Sequence, residues 1–174
     1  KAVGELMIND YTRKGFIDGR AARLPTVIIR PGPPNAAASG FASGVFREPL
    51  AGNEFVLPVG MGTKMMVLGT RNAVAGLIGL MDADGDALGG DRMVGLPNNA
   101  YSVAEMITAL EAVAADKGIS LGPITPRPDP ATEAIVTSWP LVMDDARARA
   151  LGLPADESLE RVIGDYIEDF GTGQ

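Results

Sequence analysis

The sequence predicts an α/β fold, and three observations carry that prediction. A short helix with Val3, Leu6, Met7 and Tyr11 on helical spacing is closed by Gly15, a natural C-terminal glycine. Soon after it comes the apolar, β-branched run Thr26, Val27, Ile28, Ile29, which is stopped by Pro31 and Gly32 and reads as a buried strand of the parallel type. Ser102 followed three residues on by Glu105 is a capping-box pattern, and it opens an amphipathic helix that runs to Lys117. A helix that leads into a buried parallel-type strand is the beginning of an α/β crossover.

The remaining elements follow in order. Beyond the stiff loop at Pro31, Gly32, Pro33 and Pro34, residues 36–50 are rich in Ala, Ser and Gly, with Phe41, Val45 and Phe46 spaced for one face. This predicts a helix with a thin, closely packed side. Residues 54–58 and 64–68 read as short strands separated by Gly60 and Gly62, and a helix over 72–81 follows, so that this stretch looks like a small cap on a main sheet. Residues 82–86 form an acidic loop and 91–97 a further short strand. Residues 122–130 are a proline-studded linker, and helices are expected near 132–138, 144–151 and 157–169, with a frayed tail over 171–174.

Composition removes several function classes. The chain has 174 residues, 15 of them Lys or Arg and 22 Asp or Glu, for a formal charge of −7, which is the wrong sign for phosphate-backbone binding and argues against a nucleic-acid partner. Without cysteine or histidine there is no disulfide framework, no thiolate-bound metal and no imidazole proton shuttle, so no metal site is expected. Acid–base chemistry must then fall to Lys, Tyr, Asp or Glu. The most apolar stretch, 73–81, is far shorter than the roughly 20 residues of a membrane span, so no membrane association is expected and a cytoplasmic location is the default. Asp82, Asp84 and Asp86 superficially suggest a calcium loop, but Ala87 and Met93 stand where the loop needs Gly and Glu. No phosphate-binding glycine loop is present, and no His activates Ser39 or Ser43.

Arg30 and Arg47 flank the Gly/Ser/Ala-rich stretch that also holds Asn35 and Ser39, a set of donors suited to a carboxylate or hydroxyl-rich ligand. Arg71, at a helix start, can point into a cleft or simply meet nearby acids. Trp139, before Pro140, suits an anchor for the C-terminal helices.

Taken in order, Lys1-Ala-Val-Gly-Glu5, Arg23-Leu-Pro-Thr-Val27, Arg30-Pro-Gly32, Asn35 to Phe41, Arg47-Glu-Pro-Leu50, Arg71-Asn-Ala-Val74, Leu96-Pro97 and Ser138-Trp-Pro140 resemble the extended short-chain dehydrogenase/reductases, in their NAD-dependent epimerase/dehydratase branch. The resemblance implies the C-terminal part of a Rossmann-type NAD(P)-binding fold with a small mixed α/β substrate-binding lobe. Residues 1–32 would end the Rossmann core, and 33–174 would be mainly the lobe, with some segments returning to the core. It also implies an enzyme that moves hydride from a hydroxyl of a sugar acid to NAD, with NADP left open, and that uses tyrosinate as base.

In that family Lys1 matches the lysine that lowers the tyrosine's pKa and hydrogen-bonds the nicotinamide ribose. Leu24, Pro25, Thr26 and Val27 match the segment beside the nicotinamide, and Asn35, Ser39, Arg47 and Arg71 are the expected substrate contacts, one arginine pairing the carboxylate. The family forms homodimers through a helix bundle to which Leu6, Met7 and Tyr11 can contribute. The chain departs from the pattern in two respects, the first in its base: no tyrosine stands four residues before Lys1, and Tyr11, Tyr101 and Tyr166 are followed four positions on by Gly15, Glu105 and Phe170. The glycine-rich turn is also absent. The chain is therefore read as the C-terminal half of the enzyme, and alone it is expected neither to hold NAD tightly nor to turn over. Two other readings stay open, a nucleotide-sugar epimerase or dehydratase and a non-catalytic binding domain of the same fold.

Overall fold

The computed structural model describes residues 1–33 and 37–172. Helix α1 (Ala2–Arg13) ends through Lys14, whose N–H donates to the Asp10 carbonyl, and Gly15 follows with φ +74°, as the sequence predicts. No residue of α1 is buried. The helix is held by polar contacts: Arg23 donates to Glu5 through Nε at 2.9 Å and Nη2 at 2.7 Å, and Asn9 Oδ1 accepts from the backbone N–H of Arg92 at 2.9 Å.

The strand expected over the following run is two strands, β1 (Ala21–Arg23) and β2 (Thr26–Ile28), interrupted at Leu24 and Pro25. Proline has no N–H to give to a ladder, so pairing breaks there and the chain changes partners. β1 pairs in parallel with β5 (Met93–Gly95), whereas β2 pairs in parallel with β4 (Lys64–Gly69). β4 also pairs antiparallel with β6 (Asn99–Ser102), and β3 (Phe55–Leu57) pairs in parallel with β7 (Ile124–Pro126). Three small sheets thus replace the expected main sheet with a cap. The sequence reading also misses β6, which runs straight into the capping box, and β7, whose Pro126 sits at the end of an outer strand where a missing donor is tolerated.

A 3₁₀ turn at 38–40 leads into α2 (Phe41–Leu50). The sequence reading gives this helix one packed side, but Phe41, Ala42, Ser43, Gly44, Val45, Phe46, Pro49 and Leu50 are all buried, so it is enclosed on nearly every side. Its small residues permit that: a methyl group on Gly44 would collide with the Phe55 ring. The helices α3 (Thr70–Asp82), α5 (Val103–Lys117), α6 (Pro130–Val136), α7 (Ala146–Ala150) and α8 (Leu159–Phe170) agree with the predicted segments to within a few residues. The acidic loop at 82–86 instead runs into one helical turn, α4 (Gly85–Leu88), because the Asp84 carboxylate accepts from the Asp86 N–H at 3.0 Å and caps it. Both bonds of the capping box are present at α5, from Ser102 N–H to Glu105 Oε2 at 2.7 Å and from Glu105 N–H to Ser102 Oγ at 3.2 Å.

The larger core gathers Ile28, Phe46, Leu57, Met65, Met106, Leu110 and Ile163 between α2, the β2-β4-β6 sheet, α5 and α8. A smaller one joins Leu68, Leu80, Val94, Leu96 and Leu153, tying β5 to α3 and to the segment after α7. Among the described residues no helix is long and apolar enough to cross a membrane.

The start of α3 has no side-chain cap of its own. Asp156 reaches it from across the fold, accepting from the Gly69 N–H at 2.6 Å and from Asn72 Nδ2 at 2.7 Å. Replacing Asp156 with Ala is expected to cost about 1–2 kcal/mol, the range for losing a helix cap together with a charge-assisted bond. Urea denaturation reads this directly, and an unchanged midpoint would show the cap to be dispensable.

Candidate active site

The corner at Leu24 and Pro25 lies just beyond the C-terminal end of β1, where parallel strands characteristically present their ligands. A cleft of about 450 Å³ opens there, lined by Leu24, Pro25, Thr26, Val27, Arg30 and Ser39 together with Met65, Met66, Trp139 and Pro140. An apolar wall with a few convergent polar groups is the usual make-up of a small-molecule site. Local sequence explains the arrangement. Proline forces the corner, β4 presents Met65 and Met66 beside β2, and the 3₁₀ turn before α2 carries Ser39 to the rim.

The structure brings together the expected cofactor segment, Leu24 to Val27, and one expected substrate contact, Ser39. It places the others elsewhere. Lys1 is the exposed N-cap of α1, outside the residues that line the cleft. The Glu5–Arg23 pair nonetheless ties the first turn of α1 to the last residue of β1, so Lys1 and Leu24 lie toward the same end of that strand. Arg47 is turned inward: its Nη1 donates to the Arg30 carbonyl at 3.1 Å and its Nε to Glu48 at 3.0 Å, and it borders a separate cleft beside Phe55 and Thr132. Arg71 is taken up by α8, donating to Asp165, to Glu168 at 3.1 Å and to Asp169 twice at 2.8 Å. Of the two roles open to Arg71, the structure thus selects the meeting with nearby acids. That bonding raises the Arg71 pKa and holds the Asp169 carboxyl below the usual range, the signature of a clamp between α3 and α8. Asn35 lies outside the described residues.

Met65 and Met66 join the cleft without having been put forward as site residues, together with Arg30, one of the donors that the sequence offers for a carboxylate. Arg30 was legible as one donor of a pair, but some of the acids that neutralise other arginines are far away in sequence, 94 to 98 residues in the case of Arg71, so local reading cannot say which arginine stays free. Trp139 is both anchor and wall, packing on the larger core while it lines the cleft. Burial pushes the phenols of Tyr101 and Tyr166 up, and carboxylates at Asp156, Glu160 and Glu105 raise Tyr101 further, so neither is prepared to act as tyrosinate. Among the described residues no group of three or more carboxylates is placed to hold a metal ion.

No protein-family model matches the chain. It is 45% identical over 174 residues to D-erythronate dehydrogenase of Cupriavidus necator, which covers 100% of the chain and 53% of that protein. To the D-erythronate dehydrogenase of Haemophilus influenzae it is 40% identical over 169 residues, covering 97% of the chain and 53% of the relative. A solved structure, the nucleoside-diphosphate-sugar epimerase from Agrobacterium tumefaciens, superposes with a TM-score of 0.90 at 41% identity, over 99% of the chain and 50% of that protein. The chain is homologous to half of an epimerase/dehydratase-type enzyme. It spans about half the length of the curated relatives it matches. As in such enzymes, its architecture is α/β and Rossmann-type, and the cleft stands at the end of the parallel β1–β5 pair.

Proposed function

We propose that the chain is the C-terminal half of a cytoplasmic NAD-dependent dehydrogenase that oxidises a hydroxyl of a sugar acid, D-erythronate or a close analogue. The observation that carries this reading is the cleft that Leu24 to Val27 and Ser39 form together, in a chain 40 to 45% identical to two D-erythronate dehydrogenases. Residues 1–32, with β5 returning beside β1, complete a Rossmann core, and 33–174 otherwise form the substrate lobe. The bare apolar face of α1 supports this division: Val3, Leu6 and Met7 are 70%, 68% and 52% exposed, on a helix that buries nothing. The other half of the core, or a second copy in a homodimer, covers that face.

The residues present fit a nicotinamide ring. Leu24, Pro25 and Val27 offer an apolar floor, and their backbone groups at the strand end can orient a carboxamide. When bound, NAD supplies the hydride acceptor. Lys1 supplies a positive charge that favours the ionised form of a tyrosine contributed by the other half, and Ser39 offers a hydroxyl to the substrate. Because that tyrosine is not in this chain, the 174-residue polypeptide by itself is expected to be inactive.

The test is NAD reduction by the full-length protein with D-erythronate, run beside a uridine-diphosphate sugar. Oxidation of the acid alone supports the reading. Conversion of the nucleotide sugar without oxidation of the acid would establish the epimerase reading instead, which the likeness to the Agrobacterium epimerase keeps in view.

A further inference from the structure

We infer that Arg30 is the residue that grips the substrate's carboxylate; this rests on the sugar-acid reading above. The chain carries 22 acids against 15 bases, so acids are available to neutralise its arginines. Among the described residues every arginine has an acid within ion-pair distance except Arg30 and Arg127. Arg127 is exposed beside β7, where water solvates it. Arg30 is half-buried at the cleft, and its Nε has neither a hydrogen-bond acceptor nor contact with solvent.

A guanidinium nitrogen buried without an acceptor costs stability, and proteins rarely leave one so. The cost is recovered when the acceptor comes from outside the chain. The backbone around Arg30 is fixed for that purpose: its N–H donates to Ser43 Oγ at 3.1 Å, and its carbonyl accepts from Arg47 Nη1 at 3.1 Å. Arg47 therefore acts as a positioning residue for Arg30, while Arg71 is spent on α8. A planar guanidinium matches a carboxylate better than any other side chain does. Ser39 and Thr26, on the same cleft, remain for hydroxyl groups, and Met65 and Trp139 add apolar lining without charge.

The experiment uses the full-length protein as wild type, Arg30→Met and Arg30→Lys, with three readouts: steady-state kinetics on D-erythronate and on uncharged erythritol, NAD affinity by fluorescence titration, and the rise in melting temperature caused by D-erythronate. Arg30→Met is expected to raise KM for the acid by about 10- to 100-fold, the worth of a charge-assisted pair, and to raise it far more than KM for erythritol, with NAD affinity little changed. Arg30→Lys, which keeps the charge and the stem but loses the fork, should fall in between, and it decides the matter if the Met variant fails to fold. A KM for the acid unchanged in both variants, with the wild type active, overturns the role of Arg30 and leaves the sugar-acid reading standing. A wild type that oxidises no sugar acid, yet is stabilised by D-erythronate in an Arg30-dependent way, overturns that reading and leaves Arg30 standing. Neither turnover nor stabilisation overturns both.

Discussion

Replacing Lys1 with Met in the full-length protein is expected to lower kcat/KM by about 10²- to 10⁴-fold, the usual contribution of a positioned acid–base system. Met keeps much of the volume of Lys and removes its charge, so the loss isolates the electrostatic role. A cation beside a phenol stabilises phenolate and lowers its pKa; without it the base ionises only at higher pH. The pH–rate profile of the variant should therefore move to higher pH, and activity should recover in part on the alkaline side. Lys1→Arg, which keeps the charge, should lose less. Tyr101 and Tyr166 are not placed to compensate, since burial pushes their phenols up rather than down. A variant within about threefold of wild type, with an unshifted profile, would rule out the role given to Lys1.

The second large effect is on stability. Phe46→Ala is expected to lower the unfolding free energy by about 3–5 kcal/mol, the range for removing a buried aromatic ring and leaving a cavity. Phe46 is 0% exposed and belongs to the same core cluster as Ile28, Leu57, Met106 and Leu110. Such a loss is a large share of the roughly 5–15 kcal/mol that holds a typical domain together. It should also reach the cleft, because α2 carries Ser43, which accepts the Arg30 N–H. Phe16→Ala makes the control: that ring is 68% exposed and its loss should cost under about 0.5 kcal/mol. Urea denaturation of both variants gives the comparison, and a cost below about 1 kcal/mol for Phe46→Ala would mean that the helix is less tightly held than its burial implies.

How much of this was legible in the sequence differs from element to element. α1 and α5 were read with their caps because capping is local: Ser102 and Glu105 sit three residues apart, and Gly15 follows its helix directly. Leu24 to Val27, which family resemblance alone sets beside a nicotinamide, line one cleft in the structure. The strand pairing was not legible, because one apolar run from Ala21 to Ile28 gives no local sign that its two halves pair with strands 72 and 41 residues farther on. The enclosure of α2 was hidden in a similar way. Its Ala, Ser and Gly residues read as a single thin, closely packed side, and only the arrival of Phe55 and α5 against it shows how fully the helix is enclosed.

The arginines divide the two kinds of information most sharply. The sequence by itself determined the α/β class, the helix ends, the acidic balance, the absence of cysteine and histidine chemistry, and the set of arginines available to an anion. Only the tertiary structure decided among them, turning Arg47 onto Glu48, closing Arg71 onto Asp165 and Asp169, and leaving Arg30 unpaired at the cleft. The physical reason is that caps, periodicity and composition are properties of neighbouring residues, whereas the neutralisation of an arginine depends on which acids the folded chain turns toward it, near in sequence as Glu48 is to Arg47 or remote as Asp169 is from Arg71.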